Sequence, residues 1–351
     1  MASTKILLTG ATGYIGGSIL SVLLKPSSGI VPTHAISVLI RGAEKAQTFK
    51  DLGVTPILFQ SLDESELLRK VASEHDIVIH TASGYHTSSA KSLIQGLGDR
   101  VVATGAKVHY MHTTGTSNLG DQPITGAYSE FHIFSDTEPI FTYEKKREAL
   151  QIYGQRTTDI VAIKTGLSVN VPTTLIMSPT IYGIGTGQFN TLSIQIPSMM
   201  RYALAAGKVQ MIGNGEGAWD YVHVEDLAEL YLILLKRVLA GKEIPIGEKG
   251  ILFSASGWFR WKDAAKEIAD ALVQVGGLKS NEVESIGVQE AAKWAGGDAL
   301  TAELGFASNS RTRSDIGISM GWTPVKKEED FKKHFLEDAK LVVKNTAPRS
   351  W

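Results

Sequence analysis

A chain of 351 residues with 43% hydrophobic and 20% charged residues has an ordinary globular composition, long enough for one large core and a smaller second lobe. Its net charge of −1, with no dense Lys/Arg stripe, argues against a nucleic-acid partner, and the absence of cysteine excludes disulfides, thiolate metal ligands and a cysteine nucleophile. No apolar run reaches the ~18 residues of a membrane-spanning helix, and the opening Met-Ala-Ser-Thr-Lys leaves no room for a signal peptide. The expectation is a cytoplasmic monomer or homodimer that binds neither nucleic acid nor membrane.

The first element lies in Lys5-Ile-Leu-Leu-Thr-Gly-Ala-Thr-Gly-Tyr-Ile-Gly16, an apolar strand that runs straight into three glycines. A helix with apolar period at Ile19, Leu20, Leu23 and Leu24 follows. Gly10 permits a tight turn, Gly13 lets backbone approach a pyrophosphate, and Gly16 lets the helix pack closely on the sheet. The helix start adds unpaired N–H groups and the positive end of its dipole, so Thr12, Tyr14 and Ile15 join the glycines as candidate cofactor contacts.

The second strand, Ile36 to Ile40, ends in Arg41, and Lys45 follows one helical turn later. An NAD site carries a carboxylate at that position to bind the ribose hydroxyls. A guanidinium fork suits a 2′-phosphate that a carboxylate would repel, so the reading is NADP. Further strands are expected at Val54–Leu58, Asp76–Thr81, Val108–Met111, Thr173–Met177 and Ile251–Ser254, with helical segments between them. That rhythm predicts an α/β chain with a doubly wound parallel sheet buried on both faces. Residues 118–150, polar and aromatic with Gly120, Gly126 and Pro139, read as a long loop over the site. Asp226 reads as the cap of a helix carrying Leu227, Leu230, Tyr231 and Leu234, and Glu328–Val343 as a last amphipathic helix packing through Phe331, Phe335 and Ala339. The expected division places the dinucleotide-binding domain in residues 1–184, with segments around 220–255. A smaller substrate lobe follows in 185–219 and 256–325, then a helix and tail in 326–351.

These motifs together resemble the short-chain dehydrogenase/reductase superfamily in its extended, epimerase/dehydratase-like form. The likeness runs in order through Thr9–Gly16, Asp76-Ile-Val-Ile-His-Thr-Ala-Ser83, Ser178-Pro-Thr-Ile-Tyr-Gly183, the stretch Gly213–Asp226, and Gly321-Trp-Thr-Pro324. Arg41 and Lys45 with Leu52-Gly-Val54 are similar to NmrA-like relatives, some of which are NADP sensors. Thr180–Gly187 with Gln195–Pro197 looks like a group of fungal members. The resemblance implies a Rossmann domain with a C-terminal substrate lobe, and it adds Ala82, Ser83, Pro179 and Ile181 as cofactor contacts.

In this superfamily a Ser or Thr after the fifth strand orients the substrate carbonyl, and a Tyr-x-x-x-Lys pair handles the proton. The lysine matters because a phenol of pKa ~10 is a poor acid–base group near neutrality without a neighbouring cation. In His112-Thr-Thr-Gly-Thr116, Thr114 takes the Ser/Thr place, with Thr113 the alternative. No Tyr-x-x-x-Lys lies between Thr114 and Thr173. Tyr153 has the expected distance from the next strand but is followed by Thr157 where lysine belongs. Tyr143 keeps a cation at that spacing, Arg147, but stands early in the chain. Tyr153 is therefore the favoured acid–base residue and Tyr143 the second candidate. His86, His112 and His223 are candidate proton carriers, His80 reads as structural, and the nine histidines form no metal-binding pattern, so no metal is expected.

Trp219 and Trp258, in Gly-rich irregular segments, read as pocket-lining, and the lack of a basic cluster nearby favours an apolar or aromatic small molecule. The resulting expectation is an NADP(H)-dependent oxidoreductase acting on a carbonyl or alcohol. The missing lysine leaves two alternatives: a non-redox isomerase, dehydratase or cyclase that retains NADP, and a non-catalytic NADP-binding sensor.

Overall fold

Seven short runs of apolar and β-branched residues pair in parallel; six are buried at nearly every position, and the edge strand Thr55–Leu58 stays part-exposed. Their order across the sheet is Ile251–Phe253, Thr173–Ser178, His109–Gly115, Ile77–His80, Ile6–Thr9, Ile36–Ile40 and Thr55–Leu58. The strand order reverses beside Ile6–Thr9, where Thr9 stands next to His80, and a ligand crevice belongs at the carboxyl ends there. In the computed structural model residues 4–29, 32 and 35–345 are described, and residues 346–351 of the expected tail lie outside them. Among the described residues no helix is long and apolar enough to cross a membrane.

Helices Tyr14–Leu23 and Val224–Leu239 cover one face, burying Ile19, Leu20, Leu230 and Leu234 against Leu8 and Ile79. On the other face lie Ser65–Ser73, Thr87–Thr104 and Gly154–Ser168, which bury Leu68, Leu93 and Ala162 against Leu7 and Val78. Each large aliphatic side chain withdrawn from water in this way contributes about 1.5–3 kcal/mol. A second core forms around Met200, Trp261, Trp294, Phe306, Phe331 and Phe335. It is bordered by a sheet of Thr180–Tyr182, Ala218–His223 and Gly257–Arg260 and by the pair Val209–Ile212 and Val283–Ile286. The last helix, Glu328–Lys344, delivers Phe331, Phe335 and Ala339 to this core.

Three local expectations change. Residues 118–150 are not one loop: they contain the strand Ile133–Ser135 and the helix Ile140–Leu150. That helix turns the charged Glu144 and Arg147 inward, so it lacks the one-sided apolar period by which a surface helix is recognised. Asp226 does not cap its helix. His223 does, its Nδ1 accepting the Glu225 N–H, while the Asp226 carboxylate accepts the N–H groups of Val325 and Lys326 at 3.0 Å each. Trp219 is core rather than pocket: it is buried, and its Nε1–H donates to Ser308 Oγ.

Candidate active site

At the first turn Gly10 has φ +77°, and a Cβ there would stand 2.7 Å from Thr81 Oγ1. A Cβ on Gly16 would overlap the Gly10 carbonyl and lie 2.5 Å from the same Thr81 oxygen. Thr81 is held in place by donating to the Thr9 carbonyl (2.7 Å). The end of the neighbouring strand thus requires glycine at 10 and 16 whatever is bound. Gly13 differs, since a Cβ there would meet just the Gly10 carbonyl at 3.1 Å and otherwise point into open space. Gly13 precedes the helix Tyr14–Leu23, whose start has no side-chain cap and no acidic residue in its first turn. Uncapped N–H groups beside an open, side-chain-free position fit a pyrophosphate.

The Tyr14 side chain turns away from that opening: it is buried, and its hydroxyl donates to the Gly183 carbonyl (2.7 Å). The Thr12 carbonyl accepts from Asn190 N–H (3.2 Å) and Ser18 Oγ from Thr186 N–H (3.1 Å), so residues 183–190 are fastened along the glycine helix. Ile15 is half-buried, Pro179 is buried, and Ile181 pairs with Val222 in the small sheet. Arg41 is exposed at the end of its strand, with Lys45 Nζ 3.9 Å from Glu44 and 5.9 Å from the centre of the Phe189 ring. Ala82 is exposed, and Ser83 Oγ accepts from the Tyr85 N–H (3.2 Å).

Beyond the carboxyl ends of the central strands three hydroxyls meet. Tyr153, directly before the helix Gly154–Ser168, reaches Ser117 Oγ at 3.1 Å and Tyr85 Oη at 2.6 Å. Ser117 lies in the single turn Thr116–Leu119 that follows the fifth strand, and Tyr85 in the loop after Ile77–His80. Gln155 completes the group: its amide nitrogen faces Ser117 Oγ (2.7 Å) and the Gly115 carbonyl (3.3 Å), and its oxygen faces the Gly115 N–H (3.2 Å). Burial raises the Tyr153 phenol well above its ordinary range, and Tyr85 adds to that rise. The Arg156 guanidinium, 5.3 Å from the Tyr153 ring centre, works in the opposite direction but does not offset burial.

Thr114 does not face these hydroxyls. Its Oγ1–H donates to Asp159 Oδ2 (2.8 Å), which also accepts from Asn118 Nδ2 (2.7 Å); Asn118 Nδ2 reaches Glu144 Oε1 at 2.8 Å as well. Glu144 Oε2 and Asp159 Oδ1, both fully buried, have no N–H or O–H donor. Burial raises both carboxyl groups, and the proximity of Asp159 raises Glu144 further, so Glu144 keeps its proton and donates it to Asp159.

The sequence profile of the NAD dependent epimerase/dehydratase family matches residues 6–247. The chain belongs to that family. The oxidase ucsJ of Acremonium sp is 28% identical over 312 residues, covering 83% of this chain and 85% of its own. YLL056C, a protein of Saccharomyces cerevisiae, is 28% identical over 292 residues, covering 80% of this chain and 85% of its own. Among solved structures, DesIV of Streptomyces venezuelae, a dTDP-glucose 4,6-dehydratase with NAD and TYD bound, shares the fold at a TM-score of 0.64 and 16% identity, over 97% of this chain and 98% of that one. UDP-glucose 4-epimerase of Thermotoga maritima, solved with UDP-glucose, does so at 0.60 and 13%, over 98% and 100%. The epimerase/dehydratase-like resemblance read from the motifs therefore holds over residues 6–247, and the likeness of fold extends over nearly the whole chain.

In this family member the sequence-read candidates separate into two places. Tyr153 stands with Ser117, whereas Tyr143 Oη belongs to a different cluster with Glu130 (3.2 Å), Tyr128 (3.4 Å) and Arg147 (3.2 Å). None of the candidate histidines reaches Tyr153. His86 accepts from Ser89 N–H at the start of Thr87–Thr104, His223 caps its own helix, and His112 is fully buried, stacked on His80 at 5.1 Å. Thr157, in the lysine's place, is bonded to Glu148. Ser117, Tyr85 and Gln155 escape sequence reading; the run of hydroxyls from Thr113 to Ser117 is the one signal that points at the first of them. A separate cleft between Pro123, Ile124, Phe131, Glu216 and Asn309 includes neither Ser117 nor Tyr153, so it is not where these hydroxyls would act.

Proposed function

We propose that the chain is an NADP(H)-dependent oxidoreductase acting on a carbonyl or alcohol of a small, mostly apolar molecule. The observation that carries this reading is the Ser117–Tyr153 hydroxyl pair at 3.1 Å, beyond the same strand ends as the open glycine turn. Such a pair can hold a substrate oxygen and exchange a proton with it. Ser117 takes the orienting role in place of Thr114, whose hydroxyl is committed to Asp159. The N–H groups after Gly13 would hold the pyrophosphate, and Arg41 with Lys45 the 2′-phosphate. Bound in this way, the nicotinamide supplies the hydride.

One observation favours a second reading. With Thr157 bonded to Glu148, no lysine assists Tyr153, which suits a non-redox reaction that retains the dinucleotide. The two readings separate in one experiment. Purified protein is mixed with NADPH deuterated at C4 and a panel of aldehydes and ketones. Deuterium in the product, with a Tyr153→Phe loss of about 10²–10⁴-fold, supports the oxidoreductase. Turnover without label transfer replaces it with the isomerase or dehydratase, and tight cofactor binding without turnover replaces it with a sensor.

A further inference from the structure

We propose that Gln155 is a positioning residue of this site: by donating to Ser117 Oγ from the inner side, it leaves the Ser117 proton to the substrate oxygen. This rests on the oxidoreductase reading above. Gln155 is buried in the first turn of the helix Gly154–Ser168, and its amide lies between two glycines. A Cβ on Gly84 would stand 3.0 Å from that amide and one on Gly115 2.9 Å, so both neighbours make room by lacking a side chain. One orientation of the amide suits its surroundings. Its oxygen accepts the Gly115 N–H (3.2 Å), and its nitrogen faces Ser117 Oγ (2.7 Å), the Gly115 carbonyl (3.3 Å) and Asn118 Oδ1 (3.3 Å). Asn118 cannot offer its nitrogen instead, because Nδ2 already donates to Glu144 and Asp159. Turned over, the Gln155 oxygen would face acceptors and its N–H groups another N–H.

Ser117 Oγ thus accepts twice, from Gln155 and from the Tyr153 hydroxyl at 3.1 Å. A hydroxyl has two acceptor sites and one proton, so what Ser117 has left to give is its O–H. Tyr153 spends its own proton on Ser117, and Tyr85 is therefore the donor across the 2.6 Å between the two phenols. The open side of the group is that of Tyr85, a residue 48% exposed where Tyr153 is 3% exposed. Tyr85 Oη, which interacts with both of the other hydroxyls, marks the place of an oxygen on that side. A substrate oxygen that displaces it receives the Ser117 hydrogen bond there. That bond strengthens as the hydride arrives and charge gathers on the oxygen, so it acts on the transition state more than on binding.

Gln155→Glu tests the direction, because a carboxylate accepts and cannot donate. Protonated, the introduced carboxyl gives Ser117 the same hydrogen bond as the amide; ionised, it draws the Ser117 proton to itself. With NADPH and the panel of aldehydes and ketones, kcat of this variant at about pH 9 is expected to fall about tenfold or more below wild type, with KM within about twofold, and to recover toward wild type at about pH 6. A ratio to wild type that does not change with pH overturns the inference. Gln155→Met fills similar space and neither donates nor accepts. Its kcat is expected to be low at every pH with KM little changed, and a wild-type kcat overturns the inference even where the carboxyl variant does not fold. A second measurement needs neither substrate nor cofactor. The folded protein sets the introduced carboxyl against the Gly115 carbonyl and Asn118 Oδ1, which raises it above the ~4.3 of the unfolded chain. The urea midpoint of Gln155→Glu, relative to wild type, is therefore expected to fall as pH rises from about 5 to about 8. A flat difference would show that position 155 accepts from Ser117 and would overturn the inference. If wild type transfers no hydride to any carbonyl, the oxidoreductase reading fails and the substrate's part in this inference fails with it, while the urea series still decides the direction of the Gln155–Ser117 bond.

Discussion

Gly17 and Gly187 meet backbone to backbone: a Cβ on Gly187 would stand 2.7 Å from the Gly17 Cα, and one on Gly17 would stand 3.0 Å from the Gly187 Cα. The contact presses residues 183–190 onto the helix that follows the glycine turn, beside the Tyr14–Gly183 and Ser18–Thr186 hydrogen bonds. Neither partner can yield without moving main chain. Gly187→Ala is therefore expected to cost about 1–3 kcal/mol in urea unfolding and to weaken NADPH binding. Gly305, in the helix Ala299–Phe306, has open space where its Cβ would go, so Gly305→Ala is expected to be neutral or to stabilise by up to ~1 kcal/mol. Equal effects at the two positions would refute the packing argument.

The buried carboxyl pair predicts an asymmetry. Glu144 carries the shared proton, so Glu144→Gln still donates to Asp159 and still accepts from Asn118, and stability is expected to change by less than about 1 kcal/mol. Asp159→Asn either turns an amide N–H toward Thr114 and Asn118, which both donate to Oδ2, or keeps its oxygen there and sets its N–H against the Glu144 proton, at a cost of about 1–3 kcal/mol. Chemical denaturation of the two variants at pH 7 measures the difference. Similar losses in both would mean that the proton does not sit on Glu144.

Arg41 tests cofactor choice. Its removal in Arg41→Ala is expected to raise the NADPH Kd about tenfold, equivalent to about 1.4 kcal/mol, and to leave NADH almost unchanged. Glu44, whose carboxylate lies over Gly42 beside Lys45, would be the ribose partner if the cofactor were NAD. If Glu44→Gln weakens NADH binding while Arg41→Ala spares NADPH, the cofactor is NAD.

His112 contributes a pH dependence of known sign. Burial pushes its imidazole down to about 3, and that of His109 to about 4, whereas the unfolded chain binds the proton near pH ~6.5. The unfolded state thus takes up more protons, and stability is lost as pH falls from about 6.5. Asp136 and Asp220, raised to about 6 by burial, act oppositely and lose their contribution as pH rises toward 6. The difference between variant and wild type isolates one residue: between pH 7 and pH 5, His112→Gln is expected to lose about 2 kcal/mol less than wild type. Parallel losses would show that His112 is protonated in the folded state.

The apolar runs of the central sheet and the glycine turn were legible in the sequence because their signals are local. A strand buried on both faces must be apolar at nearly every position, and a turn that lets helix and strand touch must omit Cβ atoms. Tyr153 was legible through its distance from the following strand, but its partners were not. Ser117 and Tyr85 lie 36 and 68 positions away from it, on the ends of different strands, and no periodicity joins them. In the run of hydroxyls after the fifth strand the sequence reading fell on Thr114, with Thr113 the alternative, and passed over Ser117. The backbone after the fifth strand decided between them, turning Thr114 inward to Asp159 and Ser117 toward Tyr153. The helix Ile140–Leu150 was hidden for a related reason, since its buried charges are satisfied by residues far along the chain and break the apolar period of a surface helix. Local chemistry thus determined the sheet and the place where an anion can sit, and tertiary packing chose which hydroxyls meet there, because hydrogen-bond partners are selected by distance in space.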